Sequence, residues 1–239
     1  MIRYPIPMPW VRLAAVVVAV SLGALTAGCG DSAPTLSANS SRKDGTAVYL
    51  LLDVSDSMNS TVPNASGKNE PKLAIAKRAA IGVCGAVAKY AQEDKTRNIR
   101  LAVASFSEDF VVAVPMGSPD PAAASRAING LGTRGGTAIG DAVTKAQKAL
   151  DDAGLKSQHI LIVTDGENNA GATPAAVAGA INALPELLRP TVYVVAFDVQ
   201  ASVFKDVKAK GWQVFSAADG KQLAQTLDEV VGGHILIEK

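Results

Sequence analysis

Three oxygen-rich fragments lie far apart in the chain, and their side chains are of the types that bind a divalent cation. The first contains Asp53, Ser55 and Ser57, the second contributes Thr137, and the third contributes Asp165. Taken alone, the first fragment is consistent with a polar turn after a strand, and the third with an ordinary strand end. Because all three occur in one chain, we predict that these five side chains converge on a single metal ion.

The donor atoms indicate which metal such a site prefers. Every predicted ligand is a carboxylate or hydroxyl oxygen, and the two histidines, His159 and His234, lie outside the motifs. Hard oxygen donors favour Mg²⁺ over zinc, with Mn²⁺ or Ca²⁺ as alternatives. Mg²⁺ takes about six oxygens, so five side chains, some acting through water, leave one position facing solvent.

The elements that must position these residues follow from hydrophobic patterning. From Thr46 onward, apolar strand segments alternate with helical segments, which is typical of a layered α/β fold. Tyr49–Leu52, Ile160–Val163 and Val192–Val195 are continuously apolar, as in central parallel strands covered on both faces. The link Ser107–Phe110 is too short for a helical crossover, so the next strand should run antiparallel at an edge. We predict a doubly wound, mostly parallel six-stranded sheet with one antiparallel edge strand and helices on both faces.

The predicted elements also suggest where the three fragments meet. The predicted strands are Ala47–Leu52, Arg100–Phe106, Val111–Val114, His159–Val163, Thr191–Phe197 and Gln213–Phe215. The predicted helices are Lys72–Glu93, Pro121–Ile128, Ile139–Leu150, Pro174–Leu188, Ser202–Lys208 and Lys221–Val230. Ligands of doubly wound sheets bind beyond the carboxyl ends of strands, and Asp53 and Asp165 end the first and fourth strands. Thr137 follows the glycine-rich loop Gly132–Gly136, whose backbone freedom permits close approach.

Two further segments have less definite patterns. Asn59–Glu70 is polar and interrupted by Pro63 and Gly67, so we predict a loop. The tail after Gly233 contains an apolar Ile-Leu-Ile, and we expect it either to add an edge strand or to pack against the core.

These residues resemble the von Willebrand factor type A (VWA) domain with its metal-ion-dependent adhesion site. The resemblance extends over about Thr46 to Val230, and it includes Leu101–Ser107, Gly135–Ala142 and Ile160–Asn169 around the three fragments. It implies a VWA fold with a metal site, and a partner protein whose Glu or Asp completes the coordination.

The resemblance also implies how the ligands divide. Ser55, Ser57 and often Thr137 would touch the metal, whereas Asp53 and Asp165 would act largely through water. When the protein's own carboxylates bind the cation only through water, they neutralise less of its positive charge. More of that charge then remains available to an incoming carboxylate of the partner.

Two positions depart from the family pattern. Asp56 stands where the family usually has glycine, and it either adds a carboxylate near the site or serves as a turn residue. Asp198 ends the fifth strand where a glycine is common, and it either lines the same face or caps the next helix. We favour the turn residue and the cap.

The N-terminus predicts export and lipidation. Arg3 and Arg12 precede a run of roughly 15 apolar or small residues, which is typical of a signal peptide. Leu25-Thr-Ala-Gly-Cys29 resembles the bacterial lipobox, although Thr26 takes the place of the preferred aliphatic residue. We therefore predict a signal peptide at 1–28, a lipidated Cys29 with a flexible tether at 29–43, and a VWA domain at 44–239. An uncleaved helix or simple secretion are the alternatives. The predicted location is the extracytoplasmic side of a bacterial membrane.

Composition excludes several function classes. Without Arg3 and Arg12, the 23 basic residues fall to 21 against 22 acidic, a net charge of −1, which gives no footprint for nucleic acid. The chain lacks Gly-x-Gly-x-x-Gly and Walker motifs, which argues against nucleotide binding, and it lacks a Gly-x-Ser-x-Gly elbow. We therefore predict a protein that is not an enzyme.

Three hypotheses about function follow. The first is a membrane-tethered, cation-dependent protein-binding module, in which Glu167, Asn168 and Asn169 either shape partner choice or form an ordinary polar loop. The second is a structural subunit of an envelope complex with a stabilising metal site. The third, which has the least support, is a Mg²⁺-assisted hydrolase.

Overall fold

The computed structural model describes residues 34–237 of the chain. The predicted signal peptide and Cys29 lie outside the described residues. The strands are β1 (Lys43–Asp53), β2 (Thr61–Pro63), β3 (Asn69–Pro71), β4 (Ile99–Phe106), β5 (Phe110–Gly117), β6 (Leu155–Thr164), β7 (Thr191–Phe197) and β8 (Gln213–Ala217). Six of them form one sheet in the order β5-β4-β1-β6-β7-β8. All neighbours are parallel except β4 and β5, so the predicted sheet with its antiparallel edge strand is confirmed.

Helices cover both faces of this sheet, as predicted. They are α1 (Lys72–Glu93), α2 (Pro121–Asn129), α3 (Ile139–Ala153), α4 (Pro174–Ala183), α5 (Lys205–Ala209) and α6 (Gly220–Val230). On one face α1, α2 and α6 pack against the sheet, and on the other α3, α4 and α5 do so. The chain passes between the faces through crossover connections, which is the doubly wound arrangement.

The central strand β1 shows why its sequence is continuously apolar. Leu50 and Leu52 point into the core on one face, while Tyr49 and Leu51 point into the core on the other. Successive side chains of a strand alternate between faces, so a strand covered on both sides buries every residue. This packing fixes the register of β1 and therefore the position of Asp53 at its carboxyl end.

Three sequence predictions need correction. The segment predicted as one helix from Pro174 ends at Ala183, because Pro185 interrupts it, and a short 3₁₀ helix follows at Glu186–Leu188. The helix predicted at Ser202–Lys208 is a 3₁₀ turn at Ala201–Phe204 followed by α5.

The third correction concerns the predicted loop Asn59–Glu70, which contains the small antiparallel hairpin β2–β3. The Asn64 carboxamide oxygen accepts hydrogen bonds from the backbone of Ser66 and Lys68 and so closes the turn.

The C-terminal tail packs against the core rather than extending the sheet. A π-helical turn, Val231–Ile235, continues from α6, and Ile235 is fully buried in the core beside it. One of the two alternatives for this tail is therefore confirmed.

The end of the predicted tether contacts the folded domain. Leu36 packs against the core, the Ser37 carbonyl accepts a hydrogen bond from Gln147, and Arg42 forms an ion pair with Asp151 at 3.1 Å. In residues 34–237, no helix is long and apolar enough to span a membrane.

Candidate metal centre

The two predicted aspartates emerge side by side because their strands are neighbours. β1 and β6 run parallel, with Leu52 opposite Val163. Asp53 is the last residue of β1, and Asp165 directly follows β6. Both carboxylates therefore lie at the carboxyl edge of the sheet, as the sequence predicts.

Asp53 is fully buried, and both of its oxygens accept hydrogen bonds. The Ser55 backbone N–H donates to Oδ1 at 2.7 Å, and the Thr164 hydroxyl donates to Oδ2 at 2.5 Å. Burial raises the pKa of Asp53 to about 6, even though these hydrogen bonds act in the opposite direction. These two hydrogen bonds tie Asp53 to the loop that follows it and to the end of β6.

The two serine hydroxyls lie next to each other at the mouth of the site. Ser55 Oγ and Ser57 Oγ are 3.0 Å apart, and the Ser57 hydroxyl donates to Asp165 Oδ1 at 2.6 Å. Two oxygens in adjacent positions of an octahedral Mg²⁺ shell are about 2.9 Å apart, given bonds of about 2.0–2.1 Å. The two hydroxyls are hydrogen-bonded to each other, and the same separation would suit adjacent ligands of one Mg²⁺ ion.

Thr137 approaches the same place from a separate loop. A β-carbon added at Gly166 would lie 3.6 Å from Thr137 Oγ1 and 3.8 Å from Ser57 Oγ, so both hydroxyls border one small space. Gly166 keeps this space free of side-chain atoms. The structure thus brings all five predicted residues to the carboxyl ends of β1 and β6.

Asn169 holds the Thr137 loop, a role that sequence reasoning did not assign. Its Oδ1 accepts the Thr137 backbone N–H at 2.7 Å, and its own N–H donates to the Thr137 carbonyl at 2.9 Å. Gly136 is needed beside it, because an added β-carbon there would lie 2.6 Å from Asn169 Oδ1. The side-chain oxygen of Asn168, Oδ1, likewise accepts a hydrogen bond from the Gly140 backbone N–H. These asparagines therefore fasten two loops together.

Lys72, the first residue of α1, is a second residue that the sequence analysis missed. It is only 7% exposed, and its Nζ donates to Asp165 Oδ2 at 2.9 Å and to Asp198 Oδ2 at 2.8 Å. Burial by itself would lower the pKa of Lys72, but hydrogen bonds to Asp198 and Asp165 outweigh it and the pKa is raised. A lysine at the start of a helix is usually solvated, so no sequence signal marked it.

The Asp198 side chain forms an ion pair with Lys72 and does not cap a helix, which corrects our prediction. The 3₁₀ turn after it begins from Gln200 without any side-chain cap. Asp198 has φ 53°, the one positive φ of a non-glycine residue in residues 34–237. Asp56, the other departure from the family pattern, is exposed and starts a 3₁₀ turn with φ in the ordinary negative range.

A serine and a histidine also meet at the other end of β6. Ser157 Oγ lies 2.8 Å from His159 Nε2, and His159 Nδ1 lies 3.5 Å from the Tyr193 hydroxyl. His159 is fully buried and its ring lies against Tyr193. This packing is that of an interior polar contact within the sheet.

The residues at the carboxyl edge fit a hard divalent cation. Within residues 34–237, no group of three or more His, Cys, Asp or Glu side chains could hold a metal ion. The two aspartates and the hydroxyls of Ser55, Ser57 and Thr137 supply only oxygen donors, as Mg²⁺ prefers.

Comparisons with known proteins agree with this fold. The pattern of the von Willebrand factor type A domain matches residues 48–167, about half of the chain. The chain belongs to the von Willebrand factor type A domain family. No curated protein sequence matches it.

Three solved structures illustrate the likeness. A von Willebrand factor type A protein from Catenulispora acidiphila is 24% identical with a TM-score of 0.61, over 79% of this chain and 42% of that one. BatB from Bacteroides thetaiotaomicron is 17% identical with a TM-score of 0.60, over 79% of this chain and 98% of that one. The von Willebrand factor domain of the type V pili tip protein Mfa5 from Porphyromonas gingivalis is 14% identical with a TM-score of 0.60, over 82% and 97%. This chain thus spans less than half of the Catenulispora protein. At these identities the likeness shows the fold.

Proposed function

We propose that this protein is a divalent-cation-dependent protein-binding module of the bacterial envelope, and that a carboxylate of its partner completes the coordination of the cation. The observation that supports this most is the pair of hydroxyls of Ser55 and Ser57, 3.0 Å apart beside a buried carboxylate of Asp165. Ser57 itself is exposed, so the pair opens to solvent.

The side chains have distinct roles in this proposal. Ser55, Ser57 and Thr137 supply neutral oxygens, while Asp53 and Asp165 hold the serine hydroxyls and their backbone in place. When bound, Mg²⁺ supplies positive charge and an open position for an anionic oxygen. Neutral hydroxyls offset little of that charge, which favours a Glu or Asp of the partner as the last ligand.

The loop after Asp165 supplies a surface for the partner beside the site. Glu167 is exposed, and together with Asn168 it borders a groove against Phe204 and Asp206. Asn168 and Asn169 mainly fasten loops, so Glu167 is the residue of this segment that is best placed to affect partner choice.

The proposed module carries a lipid anchor at Cys29, which lies outside the described residues. The chain reaches the domain at Leu36 and enters β1 at Lys43, whereas the candidate centre follows Asp53. An 11-residue strand is about 35 Å long, so the candidate centre lies about that far from the start of β1. Mass spectrometry of the N-terminal peptide, compared with Cys29→Ser, tests the anchor. An unmodified Cys29 in the membrane fraction contradicts it.

Other proteins with this fold are consistent with a role at the cell surface. Mfa5 is a type V pili tip protein, and another structural relative is described as an aerotolerance-related membrane protein. We therefore propose a binding role for this protein, without enzymatic activity.

The test is capture from a membrane extract by the immobilised protein, with Mg²⁺ and with EDTA. We expect a specific partner to be retained with Mg²⁺ and lost with EDTA, and also lost with Ser57→Ala. Ser60→Ala is the matched control, because Ser60 is also exposed and lies three residues from Ser57. Its contact with Lys72 is a hydrogen bond from the Lys72 backbone N–H to the Ser60 carbonyl, which alanine keeps. Retention of the same partner by Ser57→Ala in EDTA contradicts the proposal.

The second candidate, a structural subunit with a stabilising metal, makes a different prediction. Chelation would then lower the melting temperature while capture of the partner stays intact. The dense hydrogen bonding among the loops, including Asn169 to Thr137, is the observation that favours it.

A further inference from the structure

A buried ammonium group, that of Lys72, contacts the candidate metal centre through Asp165. The two oxygens of Asp165 have different partners, because Oδ1 accepts from Ser57 and Oδ2 accepts from Lys72. The Asp165 side chain is fully buried and that of Lys72 is 8% exposed. The positive charge of Lys72 therefore lies one carboxylate away from the place where the cation would bind.

The same ammonium group also holds the neighbouring strand end. Lys72 Nζ lies 2.8 Å from Asp198 Oδ2, and β7, which precedes Asp198, pairs with β6. Asp198 adopts a left-handed backbone conformation that side-chain-bearing residues seldom take. Its ion pair with Lys72 and its backbone bond to the Ala217 carbonyl, at 2.8 Å, hold it there.

The charges at this edge would not balance without Lys72. Three carboxylates, those of Asp53, Asp165 and Asp198, emerge from three adjacent strand ends. Asp53 and the side chain of Asp165 are buried, and in such a setting like charges on neighbouring strand ends repel and a lone carboxylate is unfavourable. Either a metal ion or an internal cation must offset them, and Lys72 is the internal cation in direct contact with two of the three.

We propose that Lys72 is a built-in counter-charge that keeps the strand ends assembled without a metal and, through repulsion, lowers the affinity of the centre for the cation. This inference rests on the proposed function, since it concerns the same centre. A lowered affinity makes occupancy depend on the surrounding cation concentration. It also leaves the bound cation more positive towards a partner's carboxylate.

The test compares metal binding with stability in the absence of metal. Lys72→Met keeps a long side chain but removes the charge, so we expect Mn²⁺ affinity, measured by calorimetry, to rise about tenfold. In EDTA the same variant should unfold at a lower urea concentration than the wild type, because two carboxylates lose their partner. Lys72→Arg keeps the positive charge, so its Mn²⁺ affinity should be closer to that of the wild type than to that of Lys72→Met.

Lys77→Met is the matched control. Lys77 lies on the same helix, but its Nζ contacts the backbone carbonyls of Asn129 and Leu131. Its loss should leave Mn²⁺ affinity unchanged. Asp198→Asn gives a second test should Lys72→Met not fold, because asparagine tolerates the positive φ. Asp198→Asn removes one of the two carboxylates that neutralise the Lys72 charge. The remaining positive charge should repel the cation more strongly, so Mn²⁺ affinity should fall about threefold.

The outcomes separate this inference from the proposed function. Unchanged or weaker Mn²⁺ binding by folded Lys72→Met, or unchanged binding by Asp198→Asn, overturns the inference alone. If the wild type shows no binding but Lys72→Met binds Mn²⁺, the proposed function fails and the counter-charge stands. If neither protein binds Mn²⁺, both fail.

Discussion

The Ser57 hydroxyl donates a 2.6 Å hydrogen bond to Asp165 across 108 positions of sequence. It joins the loop after β1 to the end of β6, the two strands at the centre of the sheet. Short bonds to a carboxylate are among the stronger hydrogen bonds of proteins. This bond therefore aligns a candidate ligand before any metal arrives.

Replacing Ser57 with alanine should remove that ligand while leaving the fold intact. Ser57 is exposed, so we expect the free energy of unfolding in EDTA to fall by only about 1 kcal/mol. Mg²⁺ affinity, measured by calorimetry, should fall at least about tenfold, because a neutral oxygen is lost from the shell. Ser60→Ala should match the wild type in both measurements. Equal Mg²⁺ affinity in Ser57→Ala and Ser60→Ala would exclude Ser57 as a ligand.

Asn169→Ala should disturb the site through Thr137. It removes the acceptor of the Thr137 backbone N–H, which is largely buried, so stability should drop by about 1–3 kcal/mol in thermal or urea unfolding. Metal affinity should weaken as well, because the position of the Thr137 hydroxyl depends on its backbone.

Asn169→Asp is the matched variant, since it keeps an oxygen in the accepting position. It should retain most of the stability that Asn169→Ala loses. If both variants lose stability equally, the hydrogen bond to Thr137 is not what matters at this position.

Alanine should destabilise the protein at Gly136 but not at Gly132, although both glycines lie in one loop. At Gly136 the new methyl group would lie 2.6 Å from Asn169 Oδ1, so the carboxamide must leave Thr137. We expect a loss of about 1–3 kcal/mol and weaker metal binding. At Gly132 no atom lies within 4 Å of the new carbon, so the change should stay within about 0.5 kcal/mol. Urea unfolding of the two variants checks this, and equal costs would contradict it.

The pKa of Asp53 predicts a pH dependence for the metal-free protein. Burial raises this pKa from 3.8 to about 6, so between these values the folded state holds a proton that the unfolded state releases. Stability in EDTA should therefore fall as pH rises from about 4 to 6, by about 2–3 kcal/mol from this group, and then level off. Asp53→Asn should lack this contribution.

Urea unfolding at a series of pH values measures the difference between the two proteins. The difference between the two proteins reports on the Asp53 carboxyl group, because the substitution removes that group. A difference that stays constant from pH 4 to pH 6 contradicts the predicted titration.

The sequence predicted what depends on pattern and missed what depends on packing. The apolar runs of β1 and β6 revealed the sheet, because strands buried on both faces must be apolar throughout. That in turn placed Asp53 and Asp165 at one edge. Lys72 was missed because its burial comes from contacts across 93 positions of sequence. Asp198 was misassigned for the same reason, since its partner Lys72 lies on a distant helix.

Loop details were the other shortfall. Asn169 looked like part of a polar strand exit, and only the fold shows that it meets Thr137. The interruption of α4 before Pro185 was visible in the sequence, because proline disfavours a helical residue before it, and our predicted helix ran past it.

The most direct test is a crystal structure with Mn²⁺, whose anomalous scattering locates the ion. We predict one anomalous peak within about 2.0–2.4 Å of the hydroxyl oxygens of Ser55, Ser57 and Thr137, with Lys72 still bound to Asp165. A map with no peak among these three oxygens at saturating Mn²⁺, or with the ion bound elsewhere, would contradict a cation-dependent centre in this protein.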